Sequence, residues 1–252
     1  EYCLKEVELA VKLHKRIIPV LHIEPTDKEL AAKMHPVISK LNWVFFREKY
    51  EPEKPLEEWI QIDRFEKSYN DLLNLLTENK QHITKHTEIL VKALDWNRNK
   101  RTPDKLLASE EQREAKEWMK TIIHKDDPPC KLTDLQCEFI TESEKYVNNM
   151  MTDAFFSYAR EDIEMRDKIR QFLTRNGFTT WADTSDIKIG VKFAEAINKG
   201  IEQADNVLFL ISEHSVVSKY CLDELKHAIA NNKRIIPLLI ENIADEKIPD
   251  FV

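Results

Sequence analysis

Glycine is the scarcest structural residue of this 252-residue chain: there are three, Gly177, Gly190 and Gly200, and none earlier. Neither a G-x-G-x-x-G turn nor a G-x-x-x-x-G-K-[ST] phosphate loop can be assembled from them, so any nucleotide is bound by other means. Cysteine is nearly as rare. Cys3, Cys130, Cys137 and Cys221 form no C-x-x-C pair, and eight scattered histidines give no zinc spacing, so no metal is expected. Thiols this sparse suit a reducing compartment, which makes the cytoplasm the expected location. No run of 18 apolar residues occurs, so no membrane span is expected. The chain opens at Glu1 with neither a start methionine nor a signal-peptide pattern and reads as an excerpt. Excess positive charge is lacking too: 38 Lys and Arg face 45 Asp and Glu, net −7, with no basic stripe. Nucleic acid and anionic membrane are therefore not the expected partners. What remains, 42% apolar and 33% charged residues, describes a globular chain of one large or two modest domains.

An internal repeat decides between these. Tyr2-Cys-Leu-Lys-Glu6, running on to Lys15-Arg-Ile-Ile-Pro19-Val-Leu21, recurs as Tyr220-Cys-Leu-Asp-Glu224, running on to Lys233-Arg-Ile-Ile-Pro237-Leu-Leu239. Eleven of the twenty positions 2–21 are identical at this offset of 218. Two related domains are present, the first without its beginning and the second without its end. In each copy the first half reads as a helix. In the second copy Leu222, Leu225, Ala228 and Ile229 share a face and Ser218 is the expected N-cap. The second half, Arg234 to Ile240, is an apolar run that suits a strand buried on both faces of a parallel sheet.

Upstream in the second copy, strands are expected at Asp153–Tyr158, Phe178–Trp181 and Asn206–Ile211. Helices are expected at Asp162–Asn176, with Ile163, Ile169, Phe172 and Leu173 inward, and at Phe193–Ala204. Gly177 stops the first helix, and 183–190 is a polar loop. Strands alternating with helices of this length make β-α-β units. The first copy adds what the second lacks, a strand at Asn42–Arg47 and a helix at roughly Arg64–Leu76. Between the copies, Ile83–Trp96, Ser109–Ile123 and Leu132–Tyr146 read as helices. The expected organisation is a partial α/β copy over 1–78, a helical connector over 79–150 and a second α/β domain over 151–252. Its class is α/β, a flavodoxin-like doubly wound parallel sheet. Because the second copy lacks its last strand, its fourth strand is expected to be an open edge. Residues 42–78 of this or a neighbouring chain are one candidate to fill it.

In such a sheet, ligands sit beyond the carboxyl ends of the strands where the strand order reverses. For the order 2-1-3-4-5 this crevice lies between the first and third strands. Ser157, Tyr158 and Arg160 leave one, and Ser212, Glu213 and His214 leave the other. The next helix brings Glu224 to the same mouth. A carboxylate, aromatics and hydroxyls around a crevice suit a sugar-bearing ligand; no second carboxylate beside Glu224 stands out, against the two-acid glycosidase arrangement. His82 and His86, four apart, read as a wet helix face and not a metal pair. Cys3 and Cys221 read as small packing hydrophobes.

Asp153-Ala-Phe-Phe-Ser-Tyr-Ala159, Gly177-Phe-x-x-Trp-x-Asp183 with Ile187 and Gly190 behind it, and Ser212…Ser218-Lys-Tyr-Cys-Leu-Asp-Glu224-Leu resemble the Toll/interleukin-1 receptor (TIR) domain. The resemblance covers residues 152–241. Residues 2–78 are similar to the carboxyl-terminal part of a second such domain, and the connector to helical segments of bacterial multidomain TIR proteins. The resemblance implies cleavage of the N-glycosidic bond between nicotinamide and ribose in NAD+, with Glu224 as catalytic carboxylate, no metal, and no cofactor apart from NAD+ as substrate. It places Ser157, Tyr158 and Arg160 near the ligand, with Ser212 at the same mouth, and Trp181 against a ring. It makes the loop of Asp183, Ile187 and Gly190 a contact with neighbouring TIR domains, in a homo-oligomer or filament. A hydrolysed or cyclised ADP-ribose product in bacterial defence is then expected. A non-enzymatic TIR–TIR scaffold, or a nucleotide receptor without turnover, fits the same residues.

Overall fold

The computed structural model describes residues 2–23, 34–48, 53, 55, 60–181, 193–244 and 248. Two compact units emerge, one of Glu1–Leu90 with Asp127–Thr133, the other of Val91–Asp126 with Asp134–Val252. Residues 79–150, expected as a helical connector, are divided between these two units.

In the first unit, α1 (Tyr2–Lys12) leads to β1 (Val20–Leu21), which pairs in parallel with β2 (Val44–Phe45), Val20 opposite Val44. Helix α2 (Phe65–Thr77) follows, and α3 (Lys80–Arg98) begins here. Among the described residues, the strand expected at 42–47 pairs with β1 and not with Arg234–Leu239. Two further expectations are corrected. Cys3 is exposed. His82 and His86 do not form a wet face. His86 is fully buried, and the rings donate to the carbonyls of Cys130 and Lys131, each at 3.1 Å. His14 Nδ1 lies 3.2 and 3.0 Å from the carbonyls of Lys131 and Leu132. Three imidazoles thereby lie against the backbone carbonyls of one short segment. Burial first, then the nearby Lys15 charge, pushes the His86 pKa down to about 4, against the opposing Lys131 carbonyl.

The second unit is built on a sheet of β3 (Thr152–Ser157), β4 (Thr180–Trp181), β5 (Ala204–Ile211) and β6 (Arg234–Leu239). All pairings are parallel and the order is β4-β3-β5-β6, the expected 2-1-3-4. The central strands β3 and β5 are nearly continuous apolar runs because both faces are covered. Alternation splits them. Phe155 and Val207 pack under α7 (Phe193–Gln203) and α8 (Lys219–Ala230), with Ile197, Ile201 and Ala228. Ala154, Phe156, Leu208 and Leu210 face α6 (Ile163–Arg175), with Ile169 and Leu173. Phe172, expected inward, is 65% exposed, and Ile163 and Ile229 are exposed too. The apolar stripe of α6 is only wide enough for Ile169 and Leu173 to reach the sheet.

Strand β6 differs from its expected burial on both faces. Its residues are exposed or half-buried throughout, because among the described residues it is an edge. Gly177 ends α6 at φ +78°, where its N–H reaches the Thr174 carbonyl and Phe178 N–H the Leu173 carbonyl, both at 3.0 Å. This is the left-handed helix stop that glycine favours. Helices α4 (Ser109–Ile123) and α5 (Asp134–Val147) complete the unit, with Trp96 against Phe139 at 5.6 Å. Among the described residues no helix is long and apolar enough to cross a membrane.

Candidate active site

Ser157 is the last residue of β3, opposite Phe209 of its neighbour β5. Ser212 follows β5 directly. The chain leaves β3 towards β4 on one side and β5 towards β6 on the other, so the carboxyl ends of this pair mark the order reversal at which the crevice is expected.

Helix α8 delivers the acid. Its start is fixed by Ser218, whose Oγ accepts the Cys221 N–H at 3.4 Å. From there Cys221, Leu225 and Ala228 are buried at i, i+4, i+7 spacing, which puts Glu224 on the flank of the packed face. Glu224 is half-buried, and Ser157 Oγ donates to its Oε2 at 2.6 Å. Ser157 itself is fully buried. A charge-assisted bond this short, from a hydroxyl locked in a strand, holds one carboxylate oxygen at the end of β3.

A second acid stands at the same mouth. Ser212 Oγ donates to Asp162 Oδ2 at 2.6 Å and accepts the Ser215 N–H at 3.1 Å, while Ser212 N–H donates to Ser215 Oγ at 2.9 Å. Ser212 and Ser215 are both fully buried. Cys221, three residues before Glu224, is buried near the start of α8. Burial pushes its thiol up to about 11, and Glu224 and Asp162 add to this, while hydrogen bonding with Ser218 and Ser157 opposes it. One buried sulfur thus senses both carboxylates. Asp162 is the residue that the sequence reading missed. Its position at the head of a helix looks like an ordinary cap, and the partner that reveals it is 50 residues away.

The other expected residues separate. Arg160 is exposed in the short 3₁₀ turn Arg160–Asp162 after β3. Tyr158 is half-buried and turned towards α6, with the Arg166 guanidinium 4.6 Å above its ring. Trp181 is corrected from ligand contact to core. It is 3% exposed and stacks on Phe155 at 4.9 Å, against Gly200. Only an absent side chain at 200 leaves the indole room beneath α7, so its aromatic area is spent on the sheet. Asp183, Ile187 and Gly190 lie outside the described residues. Among the described residues no group of three or more His, Cys, Asp or Glu is placed to hold a metal.

The arrangement offers a braced carboxylate, a second carboxylate and buried hydroxyls, a set suited to sugar hydroxyls and developing positive charge. Comparison with known proteins agrees on the kind of domain. The family model described as the TIR domain matches residues 155–251. A curated protein of Methanobrevibacter olleyae, described as a probable 2' cyclic ADP-D-ribose synthase, TcpO, is 29% identical over 101 residues. The match covers 38% of this chain and 29% of that protein's length. Among solved structures, the TIR domain of the Toll-related receptor TRR-2 from Hydra magnipapillata is 27% identical, with a TM-score of 0.36, covering 40% of this chain and 77% of that one. The TIR domains of the activated Roq1 resistosome, which directly recognises the pathogen effector XopQ, are 22% identical with a TM-score of 0.33, covering 34% and 55%.

Proposed function

We propose that this chain, which carries a TIR domain at residues 155–251, binds NAD+ where β3 and β5 diverge and breaks the bond between nicotinamide and ribose. The observation that supports this above others is the 2.6 Å Ser157–Glu224 pair at the order reversal of the sheet. Nicotinamide is a cationic leaving group: when the C1′–N bond breaks, the electron pair goes to the pyridinium ring, which departs neutral without needing an acid. The ribose is left as an oxocarbenium ion. A carboxylate that grips the ribose hydroxyls and faces that cation supplies the main stabilisation. Ser157, donating to Oε2, orients Glu224 towards the sugar.

Attack by water, with loss of a proton, gives ADP-ribose; attack by one of the substrate's own hydroxyls gives a cyclised product. The match to a probable 2' cyclic ADP-D-ribose synthase makes cyclisation a full alternative to hydrolysis. The same proposal includes activation when TIR domains of the same or related chains assemble, through the loop that contains Asp183, Ile187 and Gly190, in a cytoplasmic defence setting. No metal or cofactor enters this chemistry.

Nicotinamide release, measured against protein concentration, tests the reading. Glu224→Gln and Glu224→Ala are expected to lower the rate by about 10²–10³-fold, the loss typical of one charge-stabilising group, with the fold intact by circular dichroism. Turnover by Glu224→Ala at the parental rate would refute the site. The scaffold reading draws on Tyr220, 77% exposed, and on exposed Val217 beside it at the head of α8, an apolar pair suited to a partner surface. A chain that oligomerises yet leaves NAD+ intact at high concentration belongs to that class.

A further inference from the structure

We infer that the Asp162–Ser212 hydrogen bond is a positioning tie that holds the turn after β3 and keeps the Arg160 guanidinium available to the pyrophosphate of the bound nucleotide. The inference rests on the nucleotide reading of the crevice and adds a device that sets its affinity.

Three observations converge on it. First, Asp162 occupies the N-cap position of α6, where an aspartate normally accepts a backbone N–H of the first helical turn, yet its side chain makes no cap bond. It reaches across to the neighbouring strand end and accepts from Ser212 Oγ at 2.6 Å. Second, the donor is built in: Ser212 is fully buried and locked by its reciprocal bonds with Ser215. A carboxylate diverted from its local partner to a fixed distant one is an anchor. Third, Arg160 lies two residues before Asp162, in the same 3₁₀ turn. Its guanidinium is exposed and, among the described residues, has neither a hydrogen-bond nor an ion-pair partner. Glu161, Asp162 and Glu164 all lie close to it in the chain. With Asp162 held by Ser212, its carboxylate is tied to the neighbouring strand end, and among the described residues it forms no ion pair with Arg160. The cation remains for the planar, two-pronged recognition of phosphate that guanidinium performs.

The role predicts ligand dependence that general structural damage would not show. Ser212→Ala removes the donor, releases Asp162 towards Arg160, and is expected to weaken ADP-ribose binding about tenfold, the worth of one charge-assisted contact. Binding of nicotinamide riboside, which has no phosphate, should stay within about twofold. Asp162→Ala, which removes the competing carboxylate together with the tie, should weaken ADP-ribose binding less than Ser212→Ala does. Asp162→Asn, which keeps an acceptor oxygen for Ser212, should recover most of the lost affinity. Arg160→Ala should abolish the difference between Ser212→Ala and its parent.

Calorimetric titration of the full chain with both ligands reads all of these without requiring turnover. Equal weakening of both ligands, or additive losses for Arg160→Ala and Ser212→Ala, would overturn the tie. A parent that binds ADP-ribose but releases no nicotinamide would sink the catalytic reading and leave the tie tested by binding. A parent that binds neither ligand would sink both.

Discussion

A single methyl group placed on Gly200 decides whether Trp181 is a core residue or a ring free for a ligand. Gly200 sits inside α7, so alanine there gains about 1 kcal/mol of helix propensity when nothing opposes it. The structure opposes it. A Cβ at 200 would stand 2.7 Å from Cδ2 and Cε2 of Trp181 and 3.1 Å from Cζ2. The indole cannot retreat, because its other face is stacked on Phe155 with the rings 19° from parallel. Overpacking of this kind costs about 1–3 kcal/mol. The net is a loss of roughly 0–2 kcal/mol, which lowers the melting temperature of a unit this size by at most about 8 °C. The sign carries the test. An indole able to swing out towards solvent would leave the helix gain unopposed and raise the melting temperature by about 2–4 °C. Thermal unfolding of Gly200→Ala, followed by circular dichroism, therefore reads the packing directly, and a stabilised variant would refute the placement of Trp181 in the core.

The remaining expectations concern protonation and thiols. The His86 pKa is pushed down to about 4, from the ordinary histidine value of 6.5; its stabilising contribution is complete above 6.5 and disappears as the pH falls through about 4. The stability lost between pH 7 and 4.5, read from denaturant midpoints, should shrink in His86→Gln, and an unchanged loss would refute the buried neutral imidazole. Native alkylation with iodoacetamide at pH 8 should modify exposed Cys3 well before Cys221 and Cys137, whose pKa values burial pushes up to about 11 and 12. Labelling of Cys221 at the rate of Cys3 would show the crevice floor to be open.

Much of this was legible in local patterns. The apolar runs of β3 and β5 announce strands covered on both faces, and the repeat supplies the helix-strand unit twice. The face of α8 was legible at Leu225 and Ala228, while Cys221 is buried in place of the expected Leu222 and Ile229. Patterns fail where a distant residue decides the outcome. Trp181 at a strand end suits a binding rim or a core equally well, until Gly200 opens a slot under α7. His82 and His86 look like a wet helix face because the carbonyls that cover them come from a segment 48 and 45 residues further along. Asp162 reads as a helix cap, and only the meeting of two strand ends reveals Ser212 as its partner. In each case the local signal is sound, and a tertiary contact overrides it.

The repeat also shows how much of the site lies in the acid and how much in its surroundings. The same Tyr-Cys-Leu-x-Glu block occurs at Glu6 and at Glu224, on helices that each lead into a parallel strand. Glu6 is exposed, as is the adjacent Cys3. Its counterpart Glu224 is half-buried over a buried Cys221, with a strand hydroxyl 2.6 Å from one oxygen. An exposed carboxylate in water has no fixed orientation and little field, since high dielectric screens it. The braced carboxylate is directed before any ligand arrives, which is the condition for stabilising a cation that exists only in the transition state. The surroundings of Glu224 are supplied by β3 and β5, which bring Ser157, Ser212 and Asp162 to one edge of the sheet. On the proposed function, the strand ends of the second unit are what prepare Glu224 for its role.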